Sequence, residues 1–241
     1  MIYAMLYGGG ALDWLINIVF VFVAVCIGMV CHEVAHGLVA KWNGDNTAKN
    51  AGRLSLNPLK HFDIVGFVMM MCVGFGYAKP VPVNPYNFKH YRRGLFLVAI
   101  AGIVTNIIIA FFSALFYDLM LMASATHAVF SYFAYFFYIL SSINLSLAFF
   151  NLLPIFPLDG FRIVEVFTKY GNKFCAFMRT NGQYIIWILV GLSFIVSAAY
   201  NYASLPQWFG YIDVLGTYLD FFVGHVNYGF VSFWGLMLPG V

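Results

Sequence analysis

From Trp14 to Cys31 the chain carries no charged residue, and then His32, Glu33 and His36 arrive together within the same apolar run. A stretch that reads as a membrane-spanning helix should not hold three ionisable side chains, because such groups are costly at bilayer depth and seldom sit there without a partner or a function. Their spacing suggests the function. Two histidines four residues apart share one helix face, where both imidazoles can reach a single Zn2+, and a Glu beside the first is placed to take a proton from the attacking water. The chain has six His and only two Glu, Glu33 and Glu165, so chance rarely produces His-Glu-x-x-His in it. The competing readings are two histidines satisfying each other in a helix bundle, or haem ligation. Di-haem binding needs axial histidines on facing helices, whereas His32 and His36 share one helix and one face.

Composition places the motif in a membrane. The 241 residues are 63% hydrophobic and 9% charged, with a mean hydropathy of +0.86. Soluble domains carry about 25% charged residues, so the expected class is an all-α polytopic membrane protein in contact with the lipid bilayer. The net charge of +3 gives no reason to expect nucleic acid, because the basic residues are scattered between apolar spans. The first ten residues contain no Lys or Arg, and no polar cleavage region follows, so no cleaved signal peptide is expected. Cys26, Cys31, Cys72 and Cys175 form no C-x-x-C pair and read as small buried hydrophobes.

Four segments are long enough to span: Leu12–Trp42, 95–117, 128–153 and 184–202, against a requirement of about 20 residues. The apolar stretch 64–78 would reach only about 22 Å as a helix, short of a hydrocarbon core of about 30 Å, so a re-entrant element is expected there. The tail 204–241, interrupted by Asp213, Asp220 and His225, is expected either to lie at the interface or to cross once more. The prediction is four to six transmembrane helices with a re-entrant or short β element at the cytoplasmic face. Residues 1–241 form one membrane-embedded domain, its core about 12–203.

All twelve Lys and Arg fall into three stretches: Lys41, Lys49, Arg53 and Lys60; Lys79, Lys89, Arg92 and Arg93; Arg162, Lys169, Lys173 and Arg179. If 64–78 is re-entrant, the three share one face, cytoplasmic by the positive-inside rule. Asp13, Asp118, Asp213 and Asp220 then belong to the opposite face. His32 lies nine residues before Lys41, roughly 13 Å below the cytoplasmic boundary. The third span runs towards that same boundary and ends in Asn151-Leu-Leu-Pro154-Ile-Phe-Pro157-Leu-Asp159-Gly160. Pro154 and Pro157 break the helix, and irregular backbone at membrane depth is tolerated only where protein encloses it. Asp159, an acid at similar depth, is the expected third metal ligand; its alternative role is an N-cap for the helix continuing through Arg162. His61 and His90, flanked by bases, are expected in solvent, and His127 and His225 on the far side.

With His32-Glu33-x-x-His36 and Phe149-x-Asn151-x-x-Pro154-x-x-x-x-Asp159-Gly160 both present, the chain resembles the site-2 protease family of intramembrane zinc metalloproteases. Gly52-Arg-Leu-Ser-Leu-Asn57-Pro58-Leu-Lys-His61-Phe-Asp63 and Gly76-Tyr-Ala-Lys79-Pro80-Val-Pro82-Val-Asn84-Pro85 are similar to stretches of its small bacterial members. Ala101-Gly102-Ile-Val-Thr-Asn106 is similar to the family's Ala-Gly-Pro-x-x-Asn, with Ile103 in place of Pro. Only about ten residues, 119–128, join the spans where larger members insert a PDZ domain, and no cystathionine-synthase-type domain is expected.

The resemblance implies one Zn2+ per chain on His32, His36 and Asp159, with Glu33 as general base. It marks Asn151 as functional, an oxyanion donor; a helix-capping or interhelical hydrogen bond is the plainer role. The implied substrates are transmembrane proteins, cut within or near their membrane segments at the inner or plasma membrane. Residues 79–85 favour extended backbone, because Pro80, Pro82 and Pro85 bias each preceding residue away from helix. An edge strand there would bind substrate through Val81, Val83 and Asn84; a rigid connector is the alternative. A non-proteolytic zinc-binding membrane protein, a transporter or scaffold, is the competing function, but transport needs no general base beside the ligands.

Overall fold

The computed structural model describes residues 10–61, 63, 66, 79–169, 171–202, 210 and 212–238. The described residues are helical, with no strand among them. Helix α1 runs Ala11–Trp42, α2 Thr47–Asn50, α3 Tyr91–Ala123, α4 Val129–Leu152, α5 Asp159–Phe167, α6 Lys173–Tyr202 and α7 Val214–Met237. Single 3-10 turns occupy Pro58–Lys60 and Pro85–Asn87. Each follows an asparagine whose side-chain oxygen accepts the N–H two residues on: Asn57 from Leu59 at 3.0 Å and Asn84 from Tyr86 at 3.2 Å. Asn-Pro is thus the local signal for both turns.

Among the described residues four helices, α1, α3, α4 and α6, are long and apolar enough to cross a membrane. Only 17% of the most apolar window of α1 is buried within the protein. Leu12, Trp14, Ile108, Phe112 and Phe133 all project outward. Apolar surface on that scale requires lipid around it, so the chain is an integral membrane protein. Helix α6 begins eleven residues before the apolar stretch expected to span. Asn172 opens it, its side chain accepting the Phe174 N–H at 2.8 Å, and the polar residues that follow are helix-competent although hydropathy cannot register them.

Helices α1 and α4 run parallel through a core of Ala24, Tyr135, Ile139 and Leu140, and α3 packs antiparallel against both. A second cluster, Ala40, Phe88, Leu95 and Val98, joins the C-terminal end of α1 to the start of α3. Helix α7 is the element left open at the C-terminus, and it packs along α3 and α4. Tyr218 O–H donates to the Phe149 carbonyl, Ser141 O–H to Asn227 Oδ1, and Trp234 Nε1–H to the Phe111 carbonyl. These pairs make α7 antiparallel to α4, so its first residues lie at the end where α4 stops. Asp213 therefore sits at the same end as the Asp-Gly motif, contrary to the opposite-face expectation. It caps α7 by accepting the Gly216 N–H at 2.7 Å and also accepts the Ser193 hydroxyl at 2.8 Å. The expectation counted spans from the basic face, whereas the bonds of α7 to α4 fix its start at the end where α4 stops, with this carboxylate as its cap.

The expected re-entrant element, 64–78, lies outside the described residues apart from Gly66, as does Cys72. Its flanks are described. Lys79 N–H donates to the His61 carbonyl at 2.9 Å. The chain thus leaves and returns at one point, and the basic residues before and after it share one end of the bundle. His61 is not in solvent as expected: it is 2% exposed and its Nε2–H donates to the Ser55 carbonyl at 2.8 Å. His90 and His127 are exposed.

Candidate metal centre

His32 and His36 lie one turn apart on α1, both 6% exposed. Asp159 reaches them from α5. Helix α4 ends at Leu152, and Leu153 turns extended with ψ 135° ahead of Pro154. The broken stretch satisfies part of its own backbone, Ile155 N–H to Leu153 O and Leu158 N–H to Ile155 O. Asp159 is then the first residue of α5. Phe161, 1% exposed, packs edge-on against Phe156, and Phe167 against Phe96 of α3, which pins the short helix against α3. The Asp-Gly pair has a steric reason: a Cβ on Gly160 would overlap the Leu152 carbonyl oxygen.

The Asp159 side chain makes no capping bond and turns to the histidines instead. Its Oδ2 is 3.1 Å from His32 Nε2 and 3.1 Å from His36 Nε2, and the two Nε2 atoms are 3.0 Å apart. Read as hydrogen bonds, the three contacts need protons shared among three mutually adjacent acceptors. Read as a ligand set they need none. Tetrahedral ligands about 2.0–2.1 Å from zinc lie about 3.3 Å from each other, close to the separations observed. Two imidazoles and a carboxylate on one apex, all buried, fit a metal ion. His36 Nδ1 completes the fit by donating to the Val98 carbonyl at 2.7 Å, which fixes the tautomer with Nε2 free to bind. Arg162 stands 4.0 Å from the other Asp159 oxygen.

Glu33, half-buried beside this triangle, reaches the segment expected to bind substrate. Its Oε2 accepts the Val81 N–H at 2.7 Å. That segment is not a strand, and the reason is arithmetic in donors. Pro80, Pro82 and Pro85 have none, Val81 gives its own to Glu33, and Asn84 gives its own to Asp45 Oδ2 at 2.7 Å. Among residues 80–85, only the Val83 N–H makes no bond within the described chain. The Val83 side chain packs inward on the Ala40 and Val98 cluster, and Asn84 spends its side chain on the turn it starts. Asn151 is likewise locally engaged, its Nδ2–H donating to the Leu147 carbonyl at 2.9 Å within its own helix.

Two residues with no site role in the sequence expectations hold this strap. Arg53 donates to the Lys79 carbonyl at 2.6 Å. Asp45, fully buried just beyond α1, also accepts Thr47 N–H at 3.0 Å and Asn87 Nδ2–H at 2.8 Å. Burial opposes ionisation of Asp45, but the hydrogen bonds from Thr47, Asn87 and Asn84 outweigh it and hold the carboxyl below the usual carboxylate range. The signal was present in the sequence: one acid between Lys41 and Lys49, two residues before a Thr, the pattern of a side-chain-closed turn.

Residues 119–197 match the model of peptidase family M50, a region that contains α4, the Asp-Gly motif and α5. The chain is 38% identical over 186 residues to "Putative zinc metalloprotease YwhC" of Bacillus subtilis, covering 70% of this chain and 84% of that protein. It is 30% identical over 177 residues to "Putative zinc metalloprotease MJ0611" of Methanocaldococcus jannaschii, covering 72% and 75%. No solved structure matches it. A buried two-histidine, one-aspartate apex inside a lipid-facing helix bundle agrees with these relatives, and the chain belongs to peptidase family M50, the site-2 protease family, as a membrane-embedded zinc metalloprotease.

Proposed function

We propose that the chain is an intramembrane endopeptidase that cuts substrate proteins within or near their transmembrane segments, with its site near the cytoplasmic face of the inner or plasma membrane. The observation that carries the reading is where the ligands sit. His36 lies five residues before Lys41 on a helix otherwise facing lipid, roughly 7 Å inside the basic boundary. A peptide bond can reach that depth only if it belongs to a membrane-inserted segment or one drawn in beside it.

His32, His36 and Asp159 would hold the zinc, which would supply a Lewis acid and make water a nucleophile near neutral pH. Glu33, beside His32 and not a ligand, takes the proton of the attacking water and returns it to the leaving amine. Asn151, on the last turn of α4, supplies a donor to the developing oxyanion after leaving the Leu147 carbonyl. The strap 79–85 lies against Glu33 and offers the Val83 N–H to an unwound substrate, with Val81 and Asn84 holding its shape.

The test is Glu33→Gln in proteoliposomes with a single-span peptide substrate. Zinc content should stay near one per chain while cleavage falls by at least about 10² to 10⁴, the usual loss for a general base. Wild-type turnover by that variant would overturn the reading.

A further inference from the structure

The two zinc ligands of α1 are unequally supported. His36 has an acceptor for its outer nitrogen, the Val98 carbonyl. His32 Nδ1 is buried and makes no hydrogen bond. A histidine that binds metal through Nε2 carries its proton on Nδ1, and such a proton almost always goes to an acceptor that orients the ring. Nearby, two other residues are also unsatisfied. Asn106 is fully buried with neither amide atom bonded, and Asn144, equally buried, donates to the Leu140 carbonyl at 2.8 Å but leaves Oδ1 without a partner. Buried polar groups without partners are uncommon and costly, so three in one bundle call for a common explanation.

Helix register brings them together. Helices α1 and α3 are antiparallel, and His36 meets Val98. One turn deeper His32 meets Gly102, where a Cβ would stand 2.5 Å from the imidazole. Continued by one more turn, the same register sets Gly28 opposite Asn106. At Gly28 the α4 residue is Asn144, its Oδ1 3.1 Å from where a Gly28 Cβ would be. The Asn106 side chain, like every helical side chain, leans back towards the N-terminus of its own helix, which here is towards Gly102 and His32.

We propose that Asn106 is the positioning residue of the zinc ligand His32. With metal bound, the Asn106 side chain, unbonded in this structure, turns so that its Oδ1 accepts the His32 Nδ1–H and its Nδ2–H donates to Asn144 Oδ1, which is fixed in turn through the Leu140 carbonyl. Donors and acceptors balance: one imidazole N–H and one amide NH2 meet two amide oxygens, and each orphan atom gains a partner. Asn106 is then more than a packing amide between helices. It holds the His32 ring in the metal-binding tautomer as the Val98 carbonyl holds His36.

This rests on the zinc reading above, and the experiment separates the two. Zinc affinity is measured by chelator competition on the full chain in detergent, with helicity followed in parallel. Wild type should bind one zinc; if it binds none, the zinc reading itself falls and this one with it. Asn106→Leu should weaken zinc 10- to 100-fold, the usual cost of a lost outer partner, and should change the visible spectrum of the cobalt-substituted protein. Asn106→Asp, which keeps an acceptor oxygen, should restore affinity to within a few-fold of wild type. Ser141→Ala, a buried polar change one turn farther from the metal site than Asn144, should have no effect. If Asn106→Leu binds zinc within twofold of wild type, the proposal is overturned. If Asn106→Leu loses its helicity, the aspartate variant decides: near wild-type affinity supports the proposal, and weakening as deep as tenfold overturns it.

Discussion

The metal apex and the strap beside it are built by opposite means, although Glu33 adjoins both. His32, His36 and Asp159 stand on helices whose positions are set by packing: Tyr135 and Ile139 against α1, Phe161 and Phe167 under α5. The strap 79–89 has no ladder, and the single 3-10 turn Pro85–Asn87 is its one regular element before α3. Side chains reaching into its backbone hold it, Arg53 on the Lys79 carbonyl, Glu33 on the Val81 N–H and Asp45 on the Asn84 N–H. A packed apex keeps its geometry when one neighbour is trimmed, whereas a strap tied at three points shifts when one tie is cut. Metal binding and substrate handling should therefore separate under mutation.

The largest effect tests the apex. His36→Ala or Asp159→Ala removes one of three ligands and should cost more zinc affinity than the roughly 10- to 100-fold loss of an outer partner. Full zinc and activity in Asp159→Ala would return that residue to a purely structural role and break the comparison at its firmer end.

Next comes the strap. Val83→Pro removes the one unengaged N–H of residues 80–85 and should lower kcat/KM for a transmembrane peptide while leaving zinc content unchanged. The same logic makes cleavage depend on how readily a substrate unwinds. Gly or Pro near the scissile bond should raise the rate and a uniform poly-Leu helix should resist, since each backbone group left unsatisfied in lipid costs several kcal/mol. If Val83→Pro cleaves normally, the strap is a connector and substrate is held elsewhere.

The smallest effect belongs to Asp45. Asp45→Asn weakens hydrogen bonds to a charged acceptor worth about 1.5–3 kcal/mol each, and it should loosen the strap with a moderate fall in kcat/KM and no change in zinc affinity. Its folded carboxyl is held below the usual range, so its contribution to stability is present above the unfolded value of about 3.9 and is lost as pH falls through the lower folded value. The stability gap between wild type and Asp45→Asn, followed by thermal unfolding, should hold from neutral pH to about pH 4 and narrow below it. A gap unchanged down to pH 2 would remove the carboxylate from the account.

What the sequence determined by itself is whatever lies within one element or follows from the solvent. The i, i+4 spacing puts His32 and His36 on one face, the uncharged run around them requires lipid, and the clustering of Lys and Arg predicts a shared end that the Lys79–His61 bond supports. The place of Asp159 beside the two histidines was legible because an acid after two helix-breaking prolines at their depth has few other uses. What the tertiary structure decided is everything that depends on which residue of one helix meets which of another. Of the edge strand and the connector left open for residues 79–85, it formed no strand, since the donors were already taken by Glu33 and Asp45. It buried His61, brought Asp213 to the metal-bearing end and left Asn151 bonded in its own helix. It set Gly102 against His32, and so Asn106 one turn behind it. Periodicity reports the face on which a side chain lies. The partner across that face is fixed by helix register, and register is settled only when the side chains of both helices pack together.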